Sequence, residues 1–308
     1  MHCELVVPGL FAAERPVRLP ALELLLARGR RHAAPTQGLE HWWREAFELG
    51  EGPFPAGALT LLGGGGDPGA ASWVRADPVH LRVMRDRLAV VPGEAFELSR
   101  EEADALCAAL NAHFPGLDFT ASEPRHWCAR LEAPMAGRAL DSGAPLDPPK
   151  AAAPLINEAQ MVLHAHPVNE AREARGEPAI NSLWLWGGGR LPATAQSSWQ
   201  SVAADDPAVL GAARLARARH RALPRTALEW LGRLPKDGRH LAALDALRTP
   251  LEALERDWFA PLLAALRAAR VGMVTLHVPD AAEAVSFETI RGDLRRFWRF
   301  AKPIERYA

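Results

Sequence analysis

Apolar and polar positions follow two periods along this chain, and the changes between them mark its elements. Residues 5–7 are a short β-prone run stopped by Pro8-Gly9, which predicts a first strand and a turn. Pro20 then opens ALELLLARGR, a helix with proline at its start and Gly29 near its end. Residues 38–49 (GLEHWWREAFEL) predict a second amphipathic helix carrying Trp42, Trp43 and Phe47. The texture changes near Gly57, where ALTLL runs into Gly63–Gly66 and on to WVRADPVHL. There a strand is expected to give way to a helix capped by Asp77, with Pro78 at its first position. Ser99 and Glu102 have the spacing of a capping box, ahead of a helix with Ala103, Leu106, Cys107 and Leu110 on one face.

HWCARLEA, residues 126–133, reads as a strand, and the stretch 137–154, rich in Pro, Gly and Ala, reads as a linker loop. PLINEAQMVLHAH is a helix perturbed at Pro167, with VNEAREARG continuing to a glycine stop. SLWLWGGG predicts a buried strand ending in a glycine turn, and DPAVLGAARLARARHR a further helix. Helical texture runs from about 240 to 270 with a break near Thr249-Pro250, and VGMVTLHV is a strongly apolar strand. In SFETIRGDLRRFWRF the spacing of Phe287, Ile290, Leu294 and Phe297 predicts a closing helix with its aromatic residues inward and its arginines solvated. Strands separated by long helices imply parallel pairing. The expected architecture is a single α/β domain over 1–308, with a mostly parallel central sheet, helices on both faces and a smaller α+β insertion over about 57–140.

A chain of 308 residues with 48% hydrophobic and 24% charged residues has material for a sizeable core. The net charge of −1 supplies no general attraction to nucleic acid or anionic membrane, so a nucleic-acid role would need a local patch. No apolar run reaches the roughly 18 residues of a membrane helix, and the first residues read as a strand without a basic leader. Three cysteines, Cys3, Cys107 and Cys128, show no pairing motif, which fits a reducing cytoplasm.

Several clusters have chemical potential. Asn181, Trp184 and Trp186 lead into Gly187-Gly188-Gly189 and Arg190. A strand delivering backbone N–H groups to a glycine turn suits a phosphate or carboxylate ligand, and the bland reading is a tight turn alone. Arg75, Asp77 and His80 form a second polar group, read either as an anion-binding loop or as a helix cap. Pro167 biases His166 toward an extended conformation that turns it toward His164. With Glu158, Gln160 or Glu170 these make a metal or phosphate site, or else two helix-end histidines met by carbonyls and solvent. His277 and Asp280 follow the last apolar strand, where ligands gather in open sheets. No P-loop, nucleophile elbow or catalytic cysteine pattern is present.

The Asn-x-x-Trp-x-Trp-Gly-x-Gly-x-x-Pro segment at 181–192 resembles one found in cofactor-independent phosphoglycerate mutases of the archaeal type, in the alkaline-phosphatase superfamily. RLPALELLLARGR, DDPAVLGAARLA and TLHVPDAAEA resemble further segments of that family in the same order. With WVRADPVHL and NEAQMVLHAHPVNEARE, the pattern is most similar to the bacterial regulatory-protein family of RpfE type.

The resemblance implies a reduced alkaline-phosphatase-like core. It also implies that an active member would hold two metal ions on Asp and His side chains and attack phosphate with Ser or Thr. Here the segment that would carry the first metal-binding Asp reads Val7-Pro8-Gly9-Leu10, the Asp-His pair is not evident, and the last histidine of the His-Val stretch is missing. Two divalent ions cannot be held by generic polarity. The expectation is therefore a degenerate member acting in small-molecule binding or regulation, with no cofactor. The alternatives are an active phosphomutase or phosphatase with Mn, Mg or Zn at a relocated site around His164, His166 and Glu170, or a protein-interaction module using the arginine-rich C-terminal helix.

Overall fold

The computed structural model describes residues 1–12, 17–83, 88–131 and 152–307. Most of the expected 137–154 linker lies outside them. Twelve strands are present among the described residues: β1 (His2–Val6), β2 (Arg30–Pro35), β3 (Ser72–Val83), β4 (Leu88–Pro92), β5 (Asp118–Glu123), β6 (His126–Leu131), β7 (Ser182–Arg190), β8 (Ser201–Ala203), β9 (Arg219–Arg221), β10 (Arg239–Ala243), β11 (Met273–Pro279) and β12 (Glu283–Ile290). The chain folds as two compact units. One comprises 1–48, 195–205 and 213–308, and the other 49–194 and 206–212.

The first unit holds a seven-stranded sheet in the order β2-β12-β11-β1-β10-β8-β9. Pairing is parallel from β11 through β9, and β12 runs antiparallel to both β11 and β2. Alternation along β1 sends Cys3, Leu5 and Val7 to one face, where they pack with Val274, Leu276, Val278, Val285 and Phe287. Helix Pro20–Arg28 (through Leu22, Leu25 and Leu26) and the helical segment 251–267 (through Trp258, Phe259, Leu262 and Leu266) cover that face. Burying one such leucine or phenylalanine contributes about 2–3 kcal/mol, which makes this face the main source of the unit's stability.

The second unit is built on an antiparallel sheet, β4-β3-β6-β5, with β7 paired to β3. Its core joins Phe119, Trp127, Leu183 and Leu185 to Leu106 and Leu110 of helix Arg100–His113 and to Ile156 and Leu163 of helix Ala153–His164. The capping box forms: Ser99 Oγ accepts from Glu102 N and Glu102 Oε2 accepts from Ser99 N, both at 3.1 Å. Glu102 also pairs with Arg172 and Arg175 at 2.9 and 2.7 Å, tying this helix to Pro167–Ala174.

Five local expectations change. The helix expected over DPAVLGAARLARARHR spans only Pro207–Leu215, and Arg219–Arg221 form β9, paired with β8. Pro78 does not start a helix, because β3 continues through it to Val83 and pairs it with Leu183 of β7. The glycines at 187–189 are not a turn after β7 but lie within it: Gly189 pairs with Trp73 of β3, and Gly187 and Gly188 fall where the register shifts. Residues 239–243 form β10 in the middle of the parallel sheet, where burial on both faces outweighs the helical preference of an Ala/Leu run. Residues 283–290 form β12, with Val285, Phe287 and Thr289 buried alternately, so the closing helix is absent.

Candidate functional site

Opposite its apolar face, the first unit's sheet carries charge. Glu4 is fully buried at the middle of β1. Its in-register neighbours are Leu241 on β10 and Thr275 on β11. One step toward the strand starts, Arg239 of β10 reaches across: Nε donates to Glu4 Oε1 at 2.6 Å and Nη2 to Oε2 at 3.1 Å. One step toward the strand ends, His277 Nε2 meets Glu4 Oε2 at 3.0 Å. His2 stands 3.5 Å from Glu4 and shares a 2.8 Å hydrogen bond with Thr275 Oγ1. The diagonal offsets follow from β register, which spaces same-face residues two apart and lets long side chains span neighbouring strands.

Burial alone would raise the Glu4 carboxyl. The hydrogen bonds from His277 and Arg239, with the charge of His2 nearby, outweigh it and bring the group down to about 2. Burial lowers His2, partly opposed by Glu4. Glu4 is thus a carboxylate that stays ionised well below neutral pH on a sheet face.

Helix Leu39–Ala46 and residues 198–199 build aromatic walls on this face. Trp42 packs against His277 with ring centroids 5.3 Å apart and against Trp199 at 6.2 Å; Phe47 meets Trp199 edge-on at 5.5 Å. Trp42 and Trp199 border an open cavity of about 350 Å³ whose lining also includes Glu4, Arg239, His277 and Ser286. Trp199 is 5% exposed, and its buried Nε1 has no hydrogen-bond partner. The indole N–H contributes to keeping Glu4 ionised, but its geometry falls short of a hydrogen bond. A buried N–H left in this state costs about 1–3 kcal/mol. Of these residues the sequence reading singled out only His277. Glu4 and Arg239 lie 235 positions apart, and the one available signal was a lone acidic residue inside the first apolar strand.

The other residues singled out from sequence fall mostly in the second unit. Arg75 and Asp77 sit on β3 opposite Trp186 and Trp184 of β7. Arg75 is 2% exposed; its Nε and Nη2 donate to Asp77 Oδ1 at 2.9 and 2.7 Å, and Nη1 donates to Thr60 Oγ1 at 3.0 Å. Trp186 Nε1 takes the other Asp77 oxygen at 2.7 Å, and the guanidinium lies 5.1 Å from the Trp186 ring centroid. Burial pushes the Asp77 carboxyl up despite its partners. The strand pairing thus joins Arg75, Asp77 and Trp186 in one mutually satisfied knot.

His80 Nδ1 meets Ala179 O at 2.8 Å, and the Asn181 amide bonds both backbone groups of Leu81. Gly187 has φ +60°, and a Cβ there would stand 2.4 Å from Ala56 Cβ. These glycines admit helix Ala56–Gly63 against β7, while Gly188 is buried and Arg190 is exposed. His166 is extended as expected, but its Nδ1 accepts from Val168 N at 3.2 Å as the cap of the following helix. His164 and Glu170 are exposed; Glu158 pairs with His113 at 3.5 Å and Gln160 donates to Ser182 at 3.2 Å. Asp280 is exposed and accepts from Ala281 N, apart from the His277–Glu4 pair.

The two-metal site implied by the family resemblance does not fit these residues. After β1, Val7 and Leu10 are fully buried apolar side chains, and Leu247 packs so closely over Gly9 that a Cβ there would stand 2.3 Å from it. Asp245, following β10, is taken up by the N–H groups of Leu247 and Arg248. Among the described residues no group of three or more His, Cys, Asp or Glu side chains is arranged to hold a metal ion.

No family model matches this sequence, and no curated protein matches it. Solved structures do. The cofactor-independent phosphoglycerate mutase from Thermoplasma acidophilum superposes with a TM-score of 0.51 at 16% identity, covering 100% of this chain and 94% of that one. The PH0037 protein from Pyrococcus horikoshii gives a TM-score of 0.57 at 15% identity, covering 98% and 90%. At such identities the likeness is one of fold. The chain is a mixed α/β protein with a phosphoglycerate-mutase-like fold.

Proposed function

We propose that this chain is a small-molecule binding or regulatory protein on a mutase-like fold, one in which the usual metal and nucleophile positions have gone over to packing. The reading rests on the cavity beside Glu4. There a buried carboxylate, a guanidinium, an imidazole, an unpartnered indole N–H and the Trp42 ring converge on about 350 Å³. Glu4 holds Arg239 and His277 in place, and nearly half of the Arg239 side chain remains open to solvent. A ligand carboxylate or phosphate would take the outward edge of Arg239 and the Trp199 N–H, with its apolar part against Trp42. The glycine stretch after Trp186 is less suited to an anion because Gly189 pairs with β3 and Ala56 and Pro55 close over Gly187 and Gly189.

A regulatory role in a reducing cytoplasm accords with the RpfE-type resemblance and with three free cysteines that are all buried. The test is thermal stabilisation by 3-phosphoglycerate and by inorganic phosphate, each with and without manganese. Metal-independent stabilisation, lost in Arg239→Gln and Trp42→Ala, is the expected result. Stabilisation that requires manganese would return the protein to the metal-dependent enzymes.

A further inference from the structure

Beyond Ile290 the chain turns instead of forming a helix. Asp293 accepts from Ile290 N at 3.1 Å and pairs with Arg296 at 2.8 Å, closing a single turn over Asp293–Arg295. Arg296 and Arg299 then reach back to the end of helix Pro20–Arg28. Their Nη1 atoms donate to Arg28 O at 3.2 Å and Gly29 O at 2.9 Å, while Arg28 Nη1 donates to Leu294 O. Cations on the unsatisfied carbonyls of a helix C-terminus are favourable for hydrogen bonding and for the helix dipole. Here they hold an irregular segment against the unit.

The outcome opposes the pattern in the sequence: Phe297, Trp298 and Phe300 are 74%, 61% and 77% exposed, where a helix would have turned its aromatics inward. Phe297 and Trp298 meet edge-to-face at 5.2 Å. Across 291–302 there are five basic side chains (Arg291, Arg295, Arg296, Arg299, Lys302) and one acidic, Asp293, which Arg296 already neutralises. Arg291, Arg295 and Lys302 form no salt bridge among the described residues.

We propose that this segment is a platform for single-stranded nucleic acid, independent of the cavity beside Glu4. The exposed rings offer faces for stacking bases, and Arg291, Arg295 and Lys302 flank them with charge for the phosphates. A second copy of the chain would bring two such basic patches together, which like-charge repulsion opposes. An anionic bilayer offers the charge, but the tethers from Arg296 and Arg299 keep the rings on the body of the unit and not at the tip of a projecting loop. The net charge of −1 leaves this as a local attraction and predicts weak, salt-sensitive binding.

The test is fluorescence anisotropy of a 5′-labelled dT20 oligonucleotide at 50 to 200 mM salt. Binding is expected with a log–log salt slope between about −2 and −3.5, the range for three to five phosphate contacts on a single strand. Trp298→Ala should weaken binding about tenfold. Replacing Arg291, Arg295 and Lys302 with alanine should flatten the slope by about 2. All these side chains are exposed, so circular dichroism should show the variants folded. The proposal is overturned by absence of binding at 50 mM salt, by binding unchanged in Trp298→Ala, or by equal competition from a 20-base-pair duplex. Ring-dependent binding to phosphatidylserine vesicles without oligonucleotide binding would overturn it in favour of a membrane surface, and ring-dependent dimerisation in favour of a self-interface.

Discussion

Replacing Glu4 with glutamine tests whether the buried carboxylate organises its sheet face. The carboxyl moves from an ordinary value near 4.5 to about 2 on folding. At about 1.4 kcal/mol per unit, that shift amounts to about 3 kcal/mol of stability near neutral pH. A carboxylate depressed on folding contributes fully above its unfolded pKa and loses that contribution as pH falls toward the folded one. Wild-type stability should therefore drop between about pH 4.5 and 2 through this group. Glu4→Gln keeps one acceptor for Arg239 but removes the charge and turns an amide toward His277. It should cost about 2–3 kcal/mol at pH 7, somewhat under the full shift because Arg239 is partly solvated. Denaturant unfolding at several pH values measures this, followed by the signal that reports the first unit. Other depressed carboxylates, such as Glu102 and Glu123, titrate in both proteins, so the difference between the two curves isolates Glu4. The difference should shrink as pH falls below about 4.5. A variant within about 0.5 kcal/mol of wild type at pH 7, or a difference independent of pH, would refute the reasoning.

Other outcomes follow from the same geometry. Asp77→Ala leaves the buried Arg75 guanidinium with only Thr60 and Asp206 and should cost about 3–5 kcal/mol in the second unit, whereas Asp77→Asn, which keeps one acceptor oxygen for Arg75 and loses the one that Trp186 Nε1 uses, should cost less; urea midpoints decide. Gly187→Ala combines a left-handed backbone with a Cβ 2.4 Å from Ala56 and should cost about 2–4 kcal/mol by calorimetry. Burial pushes the Cys3 and Cys128 thiols up to about 12, and Cys107 up as well, so a thiol reagent at pH 8 should find none reactive in the native protein and all three after denaturation.

The strands whose apolar runs are bounded by turn residues were legible in the sequence, as were the helix opened by Pro20 and the Ser99–Glu102 cap. The α/β class followed from their order. Two elements misled for physical reasons. RHLAA at β10 carries helix-forming residues, and only its place between β1 and β8 makes it a strand. Residues 283–290 satisfy a period of two through Val285, Phe287 and Thr289, but Phe287, Ile290, Leu294 and Phe297 also satisfy a helical period, and local pattern does not choose between them. The Arg75–Asp77–Trp186 cluster was visible as unusual residues, but its strand pairing was not, so a knot read as two separate polar groups. The Glu4 cavity was nearly invisible because its parts come from β1, β10 and β11, joined by parallel register, and from helix Leu39–Ala46, brought there by packing.

The central claim is that a mutase-like fold persists here without the two-metal site. Metal content of the protein purified without chelator, paired with a phosphoglycerate-mutase assay in added manganese, tests it most directly. Substoichiometric metal and no turnover above background are expected. Stoichiometric metal together with turnover would contradict the claim and show that the chain assembles a metal site outside the segment beginning at Val7.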